Sequence, residues 1–132
     1  MLIRYGRELS VLVNQPTPTL CLVDVHPDGT AINLCDGIVR ARFRESATDP
    51  TPIEPDRIYQ YQIAAGSTSN LFRAAHCIRL EVTSSNFPQY DRNMNTGHDV
   101  GVDGVAARVV ATQTVFHDAA HPSQVLLPVI PR

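Results

Sequence analysis

A chain of 132 residues, 43% hydrophobic and 18% charged, has the length and apolar content for one core and is too short for two. That balance excludes an intrinsically disordered chain. A net charge of −2 leaves no basic excess of the kind nucleic acid or an anionic membrane requires, so neither is an expected partner. The three cysteines, Cys21, Cys35 and Cys77, are odd in number and form no C-x-x-C pair. Neither a disulfide framework nor a clustered zinc site follows from that spacing, and free thiols in a reducing cytoplasm are expected. Residues 1–13 carry Arg4 and Arg7, but Glu8 and Ser10 interrupt the apolar run. Neither a secretory leader nor a membrane span is expected there.

Period-two alternation runs through the chain, and long stretches of helical periodicity are absent. Residues 20–25 alternate toward Pro27-Asp28-Gly29, where proline presets φ and glycine supplies the positive φ of a reversal. Residues 30–34 return as the second arm of a hairpin. Residues 38–43 alternate Ile38 and Val39 with Arg40 and Arg42 and are expected to form a strand with one wet face. Pro50, Pro52 and Pro55 keep residues 49–55 out of any sheet. Residues 57–64 (RIYQYQIA) alternate most cleanly, and residues 77–83 set Ile78, Leu80 and Val82 against Arg79 and Glu81. A helical turn is expected at residues 71–75, a long polar loop at 86–103, and two further strands at 105–116 and 124–130. Short strands separated by Gly, Pro and Asn turns predict an all-β antiparallel sandwich.

Few motifs carry chemistry. Asp24-x-His26-x-Asp28-Gly29 has the opening rhythm of a calcium loop, but the twelfth position is Cys35 rather than a carboxylate that closes the cage; a hairpin turn is expected. His117 and His121 are four apart but are followed by Pro122, with no third ligand at zinc spacing. His76 and His98 have no partner at a meaningful spacing. No metal site and no cofactor are therefore expected. The Gly-x-Ser-x-Gly elbow of an α/β-hydrolase does not occur; Gly66-Ser67-Thr68-Ser69-Asn70 comes nearest and lacks the second glycine. No catalytic residue is assigned. Asn86, Phe87, Tyr90, Asp91, Arg92 and Asn93 form the candidate interface loop. Aromatic groups in such a polar loop are either folded beneath it or offered to a partner surface. Asp91 and Arg92 are expected to hold the loop's own backbone.

Residues 22–34 (LVDVHPDGTAINL), 33–44 (NLCDGIVRARFR), 65–76 (AGSTSNLFRAAH), 78–95 (IRLEVTSSNFPQYDRNMN) and 117–131 (HDAAHPSQVLLPVIP) resemble, in this order, the C-terminal β-sandwich of the cocaine-esterase-like (CocE/NonD) acyl esterases and X-prolyl dipeptidyl peptidases. The likeness divides the chain into a weakly resembling segment, 1–19, and a sandwich domain, 20–132. It implies a jelly-roll-like (galactose-binding-like) fold truncated at its N-terminal side, packed in the family against an α/β-hydrolase catalytic domain absent from this chain. It also implies a non-catalytic role in shaping access for ester and amide substrates; whether the chain itself is an enzyme stays open. A sandwich lacking early strands has an open sheet edge, which points to a homodimer. Two other readings stand beside this one: a free-standing sandwich binding a peptide or carbohydrate, and a hydrolase with an unrecognised triad.

Overall fold

The computed structural model describes residues 2–4, 8–13, 17–99 and 101–130. Ten strands, all paired antiparallel, build three sheets among these residues. β3 (Thr19–Val25) lies between β4 (Ala31–Ile38) and β7 (Cys77–Thr83). β2 (Glu8–Val13) lies between β5 (Tyr59–Ile63) and the short strands β8 (Val115–Phe116) and β9 (Gln124–Leu126). β1 (Leu2–Arg4) lies between β6 (Ser69–Leu71) and β10 (Val129–Ile130). No α-helix occurs among the described residues, and the fold is the all-β sandwich expected. The segment 1–19, set apart by its weak resemblance, contributes the middle strand of two of these sheets, β1 and β2.

The core forms where alternation is strictest. In β5, Tyr59, Tyr61 and Ile63 are buried while Gln60 and Gln62 face solvent. They pack with Leu20 of β3 and Ala41, with Val39, Ile53, Leu80, Val82 and Val115 around them. The Tyr59 hydroxyl accepts the Glu54 backbone N–H at 2.9 Å, and the Arg44 guanidinium lies 4.5 Å from its ring centroid. The proline-rich loop is thereby tied to the sheet it cannot join. The β3–β4 turn is built as expected: Gly29 has φ 87°, its N–H donates to His26 O at 3.0 Å, and Asp28 Oδ1 accepts the Thr30 N–H at 2.9 Å.

Four expected elements differ. The strand predicted at 38–43 ends at Ile38, and Ala41–Phe43 forms a 3₁₀ turn. Ile38 pairs with Thr19, the first residue of β3; the residue before it is Pro18, which has no N–H to continue the ladder. Residues 71–75 are not helical, because Ser69–Leu71 pairs with β1. The strand predicted over 105–116 shrinks to Val115–Phe116, with a 3₁₀ turn at Val105–Ala107. The segment 124–130 splits at Leu127-Pro128 into β9 and β10, which join different ladders, again where proline withholds a donor. The Pro131 expected to end it lies outside the described residues.

Candidate functional site

Among the described residues of 84–114, between β7 and β8, there is no strand, and the one helical element is the short 3₁₀ turn Val105–Ala107. A connection this long in a compact domain is uncommon and usually functional. Asparagine side chains pin it to the sandwich. Asn86 Nδ2 donates to Asp36 Oδ2 of β4 at 2.9 Å, and Asn93 Nδ2 donates to the buried Thr17 Oγ1 at 2.9 Å. Asn95 donates its backbone N–H to Asn93 Oδ1 at 2.9 Å and its Nδ2 to Val109 O at 3.0 Å. Arg42 holds the far side, with Nη1 3.1 Å from Asp99 Oδ1 and 3.2 Å from His98 O.

The six predicted loop residues therefore divide. Asn86, Tyr90 and Asn93 are half-buried, while Phe87, Asp91 and Arg92 are exposed. The Tyr90 N–H donates to Asn86 O at 3.0 Å, closing the turn, and burial pushes its phenol up, with Asp36 and Cys21 adding to the shift. Phe87 is 57% exposed, with the Arg92 guanidinium 4.4 Å from its ring centroid. This cation–π stack restrains an aromatic that stays more than half exposed. Among the described residues, Asn93 and Asn95 side chains make hydrogen bonds to the loop's own backbone. Phe87 and Arg92 share a cleft of about 280 Å³ with Met94, His98, Asp103 and Val105. Val102, Val105, Val109 and Val110 of the same loop are exposed, Val110 at 92%. Sequence reasoning, which assigned most of them to a strand, did not find these exposed valines.

The histidines gain partners that spacing did not suggest. His98 Nδ1 lies 3.1 Å from Asp103 Oδ1, and His76 Nδ1 lies 2.9 Å from Asp24 Oδ1. Hydrogen bonds from Thr96 and then His98 hold the Asp103 carboxyl below its ordinary range, against a smaller upward push from burial. Thr96, the hydroxyl beside this pair, donates to Asp103 and not to the imidazole. Activation of a nucleophile requires the hydroxyl on the base, so this trio is not a catalytic arrangement. In the third pair, His121 Nδ1 lies 3.3 Å from Asp118 Oδ1, and that carboxylate also accepts the His121 and Ala120 backbone N–H groups, each at 2.8 Å. It shapes a turn, as expected.

Residues 8–126 match the family of the X-Pro dipeptidyl-peptidase C-terminal non-catalytic domain. The chain belongs to that family. It is 47% identical over 114 residues to the cocaine esterase of Rhodococcus sp. (strain MB1 Bresler), across 86% of this chain and 20% of the esterase. Its structure is similar to an aminopeptidase from the marine sediment archaeon Thaumarchaeota archaeon, with a TM-score of 0.83 and 26% identity over 98% of this chain and 24% of that one. An alpha-amino acid ester hydrolase has the same fold, with a TM-score of 0.82, 24% identity and the same two coverages. The family's domain is the non-catalytic sandwich of larger CocE/NonD and X-Pro peptidase hydrolases, and this chain spans 20% to 24% of the relatives described. Among the described residues, no helix is long and apolar enough to cross a membrane.

Proposed function

We propose that this sandwich supports an α/β-hydrolase catalytic domain by docking the rim formed by Phe87, Arg92 and the exposed valines of residues 102–110, and that it shapes substrate access to an ester- or amide-cleaving site. The observation that carries the proposal is an exposed Phe87 ring, backed by Arg92, on a loop anchored from both sides. An interface residue already held in its bound geometry loses little entropy on docking, and a buried aromatic with an adjacent arginine is the usual composition of an interface hot spot. A second contact, between copies, uses the outer edges of β4 and β7, where Ile32 and Ile78 are exposed. Three unpaired cysteines support a reducing cytoplasm as its location.

The test pairs the purified chain with the catalytic portion of the Rhodococcus cocaine esterase prepared without its own C-terminal sandwich. The two are expected to co-elute, and turnover of an activated ester by the catalytic portion should rise on mixing, while the chain alone shows none. Phe87→Ala should weaken association by about 2 kcal/mol, roughly thirtyfold in Kd. Equal binding by Phe87→Ala would remove this loop from the interface. Turnover by the chain alone would overturn the non-catalytic role in this protein.

A further inference from the structure

Away from that loop, two histidines and a buried carboxylate converge at the end of the β3–β7 ladder. Asp24 pairs with Ile78 and Val25 with Cys77, and one further step in the same register sets His26 opposite His76. Their ring centroids are 4.3 Å apart, tilted by 39°. His26 follows the last residue of β3 directly, and period-two alternation carried one step past the strand puts it on the same face as Asp24. Asp24 is only 4% exposed. Its Oδ1 lies 2.9 Å from His76 Nδ1 and its Oδ2 lies 3.9 Å from His26 Nε2. One donor atom from each of the three residues lies within 4.8 Å of the other two.

We infer that Asp24, His26 and His76 form a binding site for a divalent transition-metal ion of the zinc class. Imidazole nitrogens select zinc, cobalt, nickel or copper over calcium and magnesium, which prefer all-oxygen cages. Zinc bonds of about 2.0–2.1 Å place tetrahedral ligand atoms roughly 3.3 Å apart, so the trio needs side-chain movement of about 1 Å to close. His26 has that freedom, since its side chain is 32% exposed, and the same opening leaves a fourth position for water or a ligand. The framework is otherwise fixed. The His26 N–H donates to Thr30 O at 2.8 Å and its carbonyl accepts the Gly29 N–H at 3.0 Å, which anchors its backbone. Asn70 Nδ2 donates to Asp24 Oδ2 at 3.2 Å, the outer hydrogen bond that orients a ligating carboxylate.

The experiment is titration of the purified chain with zinc by calorimetry and with cobalt(II) by absorbance. The expected result is one ion per chain, with cobalt d–d bands and no thiolate-to-cobalt charge-transfer band. His26→Gln and His76→Gln should each weaken zinc binding by at least about tenfold, and zinc should raise the Tm of the wild type but not of His26→Gln. A His98→Gln/His121→Gln double variant should bind as the wild type does. His26 is partly exposed, so its variant tests the site in a folded chain, checked by circular dichroism. Absence of binding, a thiolate band, wild-type affinity in His26→Gln, or loss of binding in the double variant would each overturn the site. In all those cases the Asp24–His76 contact is a structural hydrogen bond only.

Discussion

Replacing Tyr61 by alanine is expected to destabilise the domain by about 3–5 kcal/mol, the range for deleting a fully buried aromatic side chain. Tyr61 is 1% exposed, and it packs at the centre of the cluster that joins β5 to Leu20 of β3 and to Ala41. Its ring lies 6.3 Å from that of Tyr59, so its loss opens a cavity beside a second aromatic. Domains of this size have a total stability of about 5–15 kcal/mol, and the variant should unfold at a much lower urea concentration. Tyr61→Phe should behave in the opposite way. The Tyr61 hydroxyl is buried with no hydrogen-bond partner among the described residues, and such a group costs about 1–3 kcal/mol; phenylalanine keeps the ring and removes that cost. The pH dependence provides a further readout. Burial pushes the Tyr61 phenol from 10.0 up to about 12, with the Arg44 guanidinium opposing the shift. A folded-state value above the unfolded one means that this contribution is complete below pH 10 and is lost as pH rises toward 12. Tyr61→Phe should lack that part of the alkaline limb. If it is as destabilising as Tyr61→Ala, the hydroxyl has a partner and the account of the core is wrong.

Gly37→Ala is the second large effect. Gly37 lies on β4 opposite Leu20 and is buried. A Cβ there would meet Ala64 O at 2.1 Å, Ala64 C at 2.9 Å and Ala65 Cα at 3.1 Å. All three are backbone atoms, so no rotamer change relieves the clash; either β4 or the chain after β5 has to move. The expected loss is about 3 kcal/mol, the upper part of the overpacking range, and a drop in Tm of roughly 6–12 °C. Gly104→Ala is the matched control. Its φ is −76° and an added Cβ meets nothing within 4 Å, so reduced unfolded-state entropy should leave it neutral or slightly stabilising. Equal Tm values for the two variants would show that residues 64–65 do not sit against Gly37.

Much of this architecture was legible where the pattern is local. Alternation in β5 and β7 and the Asp28-Gly29 turn needed only neighbouring residues. The failures were elements whose state depends on a distant strand. Ser69–Leu71 is a strand because β1 pairs with it, and the valines of residues 105–110 are not one because the edge of β2 pairs only with Val115 and Phe116 of that stretch. The loop was found by its composition, but composition left two fates open for its aromatics. Packing sent Tyr90 inward and left Phe87 exposed.

The amino-acid order by itself determined the all-β class, the hairpin, the loop, the absence of a Gly-x-Ser-x-Gly elbow and the kinship with the CocE/NonD sandwiches. These rest on period-two alternation, turn chemistry and motif order, which are written along the chain. Tertiary structure alone decided which strands became neighbours, and with them the charged clusters. Asp24 meets Asn70 and His76 across 46 and 52 residues, and Arg42 meets Asp99 across 57. No local pattern encodes such contacts, because they arise only when burial of β3 between two partners closes the intervening chain into loops and brings the opposing faces into register.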